Sequence, residues 1–463
     1  MTLLKPCERC CAALLFFMVL GSPALRAQEP SPSGTAEEEQ GAESLKPKLT
    51  FGLEAKANFR HSDDNRFPVA FHPPQLPPGQ SAFEQTVNPG DHFEVSDVIL
   101  YLDASWGDGL EAHSKVSFID LYTRNPTSTG KEIDVHEAWI RFGVDTPPAT
   151  LAPRGGVYLK VGKFPKFERQ NDRHLESYGL VSTAFNRLED VGAELGINLG
   201  RHLYVKAAAT AGNPVFLRDP NALAGDNGTP DLLRSNPDPT LHSGIVILYD
   251  AKVEDIDTDG KLAASAGLGW RTADEAGRNG FDVLVFGHQR KLAKTVPRDG
   301  SFYGGDLDLL NGPGNGPILP TTDDDKKEVG GNVWVYFGGL SFFAQYVDQK
   351  LAGLPRTGLE GEVAWRFDLP LVWAVGDRQL FTYVAPAVRY SKLDNDFRNL
   401  SQVTNPTPSP SFAWDWEKVD AGVRLGIFPG VDLTAEYARN RFILGSGATR
   451  ENDEGLVTLR WRI

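Results

Sequence analysis

From residue 49 to the C-terminus, apolar and polar side chains alternate with period two, in segments of about ten residues set apart by Gly, Pro, Asn and Asp clusters. In "LTFGLEAKANFR", Phe51, Leu53, Ala55, Ala57 and Phe59 share one face, and Glu54, Lys56, Asn58 and Arg60 share the other. "VGAELGINL" sets Val191, Ala193, Leu195, Ile197 and Leu199 against Glu194 and Asn198. "GLEGEVAWRFD" sets Leu359, Val363, Trp365 and Phe367 against Glu360, Glu362, Arg366 and Asp368, and "KVDAGVRLGIF" repeats the scheme. The final "EGLVTLRWRI" places Val457, Leu459, Trp461 and Ile463 opposite Thr458, Arg460 and Arg462.

This pattern predicts an all-β chain. Candidate strands begin near 49, 97, 110, 132, 157, 191, 203, 243, 262, 281, 329, 340, 359, 382, 418, 431 and 455. A soluble sandwich puts its greasy face on a core, and a membrane barrel turns it to lipid while the polar face lines a lumen. Strands of about nine to eleven residues, longer than the five or six usual in sandwiches, favour a tilted bilayer crossing. Tight turns are expected at 107–109, 200–201, 338–339 and 428–430. Long connections are expected at about 60–94, 165–189, 213–242, 291–328 and 394–416. A single-chain barrel has an even number of strands, so the seventeen starts hold one error, and sixteen or eighteen strands are expected. The stretch 281–328 is the weakest place in the pattern. Pro386 cannot donate to a ladder and predicts a bulge.

The first thirty residues carry Lys5 and Arg9, an apolar run over about 12–20 and small residues up to Ala27. That is the layout of a signal peptide, expected at 1–27 with cleavage after Ala27 and export of the remainder. Residues 28–48, rich in Pro, Ser, Gly and Glu, read as a disordered acidic periplasmic lead, and 49–463 as the barrel. Cys7, Cys10 and Cys11 all precede the expected cleavage site, which leaves no thiol chemistry or disulfide framework. The net charge of −14 argues against nucleic acid as a partner. A mean hydropathy of −0.30 suits alternating strands as well as a soluble chain.

Residues 157–213 run a strand into Val161, Gly162, Lys163 and Phe164, then Pro165, Phe167 and Glu168, a polar loop, Arg187 and a Gly-rich hairpin. This stretch, with looser support from "GGLSFFAQYVDQ" and the closing strand, resembles the phosphate-selective porin O/P family. The resemblance implies sixteen strands, a homotrimer in outer-membrane lipid and a loop at about 165–189 folded into the pore, with basic residues guiding anions. Carried over, the constriction group is Lys163, Lys166, Arg169, Arg173 and Arg187, accompanied by Glu168, Asp172 and Glu176. Cations beside a confined aqueous path concentrate anions. The same charges could instead pair with one another on a solvated loop. The family commonly ends on an aromatic residue read by the barrel-assembly machinery, and this chain departs from that with Ile463 after Trp461.

Strand parity gives the lumen as many basic as acidic side chains. Grouping still suggests a cationic wall of Arg366, Arg389 and Arg424 on consecutive strands, with Arg460, Arg462 and Lys56 where the last strand meets the first. The expected function is passive diffusion of small hydrophilic solutes through a water-filled channel, leaning toward anions such as phosphate. A plugged structural or adhesin-like barrel is the alternative, and a soluble exported sandwich the third reading.

No cofactor, metal site or catalytic residue is expected. "DIDTDGKLAASA" (255–266) opens like a calcium loop but has Ala266 where a bidentate Glu is needed. "GPGNGP" (312–317) lacks the lysine and helix of a phosphate cradle. Histidines such as His113, His136 and His174 show no ligand spacing, and no serine sits in a nucleophile elbow. Trp106, Phe142, Tyr204, Trp270, Phe337, Phe367, Tyr437 and Trp461 fall near strand ends, as interfacial aromatic girdles do.

Overall fold

The computed structural model describes residues 47–463 except 64, 69–82, 86–89, 108, 121–132, 153–154, 187, 219–241, 245–246, 252–260, 276–277, 297–304, 312–318, 377 and 398–409. The expected signal peptide and nearly all of the expected lead lie outside the described residues, as do most of the calcium-like and Gly-rich stretches. Sixteen antiparallel strands close into a barrel. They are β1 (Lys48–Ser62), β2 (Gly90–Trp106), β3 (Leu110–Asp120), β4 (Asp134–Gly143), β5 (Val157–Pro165), β6 (Glu189–Asn198), β7 (Leu203–Thr210) and β8 (Ala263–Ala273). The second half comprises β9 (Asn279–Lys291), β10 (Asp325–Phe337), β11 (Leu340–Leu351), β12 (Leu354–Trp365, resuming at Phe367–Asp368), β13 (Tyr383–Asn395), β14 (Asp415–Phe428), β15 (Val431–Ile443) and β16 (Thr449–Arg462). Each strand pairs with the next, and β1 closes on β16 from Glu54↔Arg462 to Ser62↔Glu454.

The surplus start is the one near 243, not one within 281–328. His242–Gly244 pairs with Phe83–Gln85, and Ile247–Asp250 with Val215–Arg218, so both belong to a loop assembly outside the wall. Strand propensity is met there without a place in the barrel. Pro386 produces no bulge. The β12 ladder runs to Ala364↔Ala387 and resumes at Phe367↔Val384 in the same register, so it simply lapses beside the proline. Register shifts occur instead at Lys56/Ala57, Val98/Ile99, Lys115/Val116 and Gly426/Phe428.

Every expected tight turn lies at the rim where β1 begins and β16 ends, and every expected long connection lies at the opposite rim. Two longer connections at the short-turn rim, 144–156 and 366–382, and the tight Ala352–Gly353 turn at the long-loop rim depart from that division.

The alternation becomes an outside and an inside. Phe51, Leu195, Leu359, Val363, Val423, Leu459 and Trp461 are exposed on the outer face, while Glu54, Glu194, Glu360, Glu362 and Arg460 are buried inward. A closed sheet satisfies every ladder group without an edge, which is what a hydrocarbon environment demands. Phe142, Trp270, Phe337, Phe367 and Trp461 form an exposed aromatic belt toward the short-turn rim. Tyr204 does not join it: its ring is buried, and its hydroxyl donates to Asp282 at 2.6 Å. No helix among the described residues is long and apolar enough to cross a membrane.

Candidate functional site

β5 ends at Pro165 and β6 starts at Glu189, so the connection 166–188 matches the expected inward loop. Its apolar residues explain where it goes. Leu175, Leu180, Val181, Ala184 and Phe185 are buried, most of them against Leu284, Phe286, Trp334, Phe343 and Val347 on the inner faces of β9–β11. Covering a Leu or Phe side chain stabilises by about 1.5–3 kcal/mol, so a greasy patch within an otherwise polar lumen holds the loop. Residues Ser182–Asn186 form one π-helical turn.

Carboxylates of the wall complete the seat. Glu360 on β12 accepts the Val181 and Ser182 amides at 3.0 and 3.1 Å and the Ser182 hydroxyl at 3.0 Å. Glu362 takes the His174 amide at 2.8 Å, and Glu436 on β15 takes those of Glu176 and Ser177. Gly179 is required for this approach, since a Cβ there would stand 2.0 Å from the Glu360 carboxylate. Wall cations donate in turn to loop carbonyls: Arg389 to Ser177 at 3.0 Å, Lys418 to Tyr178 at 2.7 Å and Arg356 to Ala184 at 3.2 Å.

The constriction group separates. Lys163 has the parity of the outward Val157, Leu159 and Val161, and its ammonium donates to the Val135 carbonyl at 2.6 Å. It stands on the outer face of the wall. Lys166 bonds the Phe185 carbonyl and pairs with Asp250 at 3.0 Å. Arg169 pairs with Glu189 at 2.5 Å. Arg173 sits over the Tyr178 ring, 3.6 Å from its centre, and donates to the Ser177 carbonyl, with no carboxylate within 4 Å among the described residues. Arg187 lies outside the described residues.

The expected basic wall divides too. Arg389 is fully buried between Asp420 at 2.9 Å and Glu362 at 3.4 Å. Arg366 is exposed at the short-turn rim, paired with Asp368 and stacked on Tyr383. Lys56, Arg424 and Arg460 converge on Glu176 of the loop at 3.3, 2.8 and 3.0 Å, and Arg462 pairs with Glu54. Burial opposes the charge on Glu176, but these cations outweigh it and hold its carboxyl well below the ordinary value of 4.5. The sequence could group the basic residues by strand. It could not show that a loop carboxylate some 280 positions from Arg460 sits among them.

Facing the loop, β2–β4 present charges that keep contact with solvent. Asp103 and Glu111 are 42 % and 35 % exposed, and His113, Glu137 and Arg141 16 %, 15 % and 17 %. His113 bonds Asp103 at 2.6 Å and stacks on Trp139.

No protein-family model matches this chain, and no curated protein matches it. Among solved structures, Pseudomonas putida OprB superposes with a TM-score of 0.51 at 10% identity, over 92% of this chain and 96% of that one. The outer membrane channel DcaP of Acinetobacter baumannii gives 0.47 at 10% identity, over 90% and 97%. The fold is therefore that of the outer-membrane β-barrels.

Proposed function

We propose that the protein is an outer-membrane diffusion channel for small hydrophilic solutes, narrowed by the 166–188 loop and weakly selective for anions. One observation carries the reading: a folded-in loop leaves an ionic, solvent-touching strip on β2–β4 opposite its own cationic edge. At that edge Lys56, Arg173, Arg424, Arg460 and Arg462 gather about Glu176, with Glu54, Asp97 and Asp432 beside them. The lean is small because most of the basic wall is occupied in holding Glu176. Phosphate is one anion such an edge would admit, and a homotrimer is the assembly this reading expects. Reversal potentials in planar bilayers under a potassium chloride gradient test it, with a modest anion preference expected and a cation preference overturning it.

Burial of Arg60, Ser117 and His136 in the long-loop half favours a second reading, a barrel closed by its loops. Liposome swelling separates the two: flux of small sugars supports the channel, and its absence the closed barrel.

A further inference from the structure

One group of side chains in the long-loop half of the lumen stands apart from the charges discussed so far. Glu168 on the inward loop, His288 on β9 and Glu328 on β10 bring three ligand atoms within 4.8 Å of one another. Glu168 is 0 % exposed, yet neither carboxylate oxygen accepts a hydrogen bond, and Oε1 lies 3.0 Å from His288 Nε2. Glu328, also buried, commits Oε2 to the Gln349 amide at 2.8 Å and leaves Oε1 without a hydrogen bond. A buried carboxylate left in this condition is costly unless a cation meets it.

His288 is prepared for such a role. Ser265 Oγ sits 2.5 Å from Nδ1, which turns Nε2 toward the carboxylates, and the ring is stacked on Phe167 and flanked by Phe286. Fixing the far nitrogen of a ligating imidazole is how second-layer partners set its tautomer and aim. The side-chain cations facing the cluster already have partners. Lys166 and Lys326 both pair with Asp250, and Arg290 is held twice by Asp306. His288 also lines a cleft that it shares with Lys166, Phe167, Arg290 and Lys326.

We propose that Glu168, His288 and Glu328 bind a first-row divalent cation of the zinc type, fastening the inward loop to the barrel wall. One imidazole with two carboxylates suits such an ion better than calcium or magnesium, which prefer all-oxygen sites. Tetrahedral ligands about 2.0–2.2 Å from the metal stand roughly 3.4 Å apart, so the His288–Glu168 pair needs little change and a rotation of Glu328 closes the remaining gap. Water takes the fourth position.

The test uses the full chain extracted from outer membranes in detergent, stripped with EDTA, reloaded with zinc sulfate and analysed for metal by mass spectrometry. One zinc per chain is expected, and cobalt in its place gives the intense visible absorption of a tetrahedral site. His288→Ala and Glu328→Gln abolish stoichiometric uptake, Ser265→Ala weakens it about tenfold, and His202→Ala, at a histidine elsewhere in the wall, leaves it unchanged. Migration as a folded barrel on an unheated gel qualifies each variant, and His288→Gln replaces any that fails. The proposal is overturned if the reloaded wild type holds no zinc, the result expected of a His288 merely paired with Glu168, or if uptake survives in the His288 variants.

Discussion

β12–β15 and β2–β4 carry the same alternation of ionic and apolar residues, but cover divides them. On β12–β15 the inward ions are sealed under the loop: Arg389 and Asp420 are 0 % exposed, with Glu360 and Lys418 almost as deeply placed. Each is spent on loop backbone or on a neighbouring ion. On β2–β4 Asp103 and Glu111 keep broad contact with water, and His113 and Glu137 keep some. A charge in the lumen is thus a structural clamp where the loop covers it and a channel lining where it does not, so substitutions on the two walls should separate stability from selectivity.

The largest effect is expected at Arg389. Arg389→Met leaves Asp420 and Glu362 short of their buried partner, and losing one member of such a group costs about 3–5 kcal/mol. Urea unfolding in detergent should show this as a lower midpoint, and an unchanged midpoint would remove the distinction between the walls. Glu360→Gln should follow at about 2–3 kcal/mol, since the loop amides lose a charged acceptor. Its more telling sign is a larger and noisier single-channel conductance as the 180–186 segment loosens.

Glu176 makes the comparison pH-dependent. Its folded-state carboxyl titrates below the ordinary 4.5, so its anchoring is fully present above that value and is lost as pH falls through the lower, folded value. The stability that Glu176 contributes, read as the difference in urea midpoint between wild type and Glu176→Gln, should therefore stay level from pH 7 down to about pH 4. Glu176→Gln should already destabilise the loop at pH 7, by about 1.5–3 kcal/mol. Loss of that difference between pH 6 and 5 would contradict the seating of Glu176 among Lys56, Arg424 and Arg460. The smallest stability change is expected on the facing wall: Glu137→Gln should stay within about 0.5 kcal/mol of wild type while moving the reversal potential toward anions.

Much of the barrel was legible because period-two alternation is a local property. Each strand of "EGLVTLRWRI" type states its own faces, and Gly, Pro and Asp clusters mark its ends. The false strand near 243 shows the limit, for Ile247–Asp250 satisfies strand chemistry by pairing with Val215–Arg218 outside the wall. The inward loop was legible as a segment between Pro165 and Glu189, but the partners of its charges were not. Lys163 was misplaced by reading it with the loop that follows instead of by its parity with Val161. Glu176 meets Arg460, and Glu168 meets His288 and Glu328, because the loop folds in against the wall, where His288 and Glu328 are already cross-strand partners. No spacing in the chain encodes them.

The seam between the first and last strands carries a kinetic consequence. Leu53 and Ile463 exchange both backbone hydrogen bonds, and Thr458 donates to Asn58 across 400 positions of chain. Contacts so remote in sequence form late and slowly. Until that seam pairs, β1 and β16 present two raw edges ready to pair with any other strand. A chain shortened by one strand would therefore be expected to aggregate instead of forming a slightly narrower cylinder, and whatever shields those edges before the ring shuts governs how much of the protein survives.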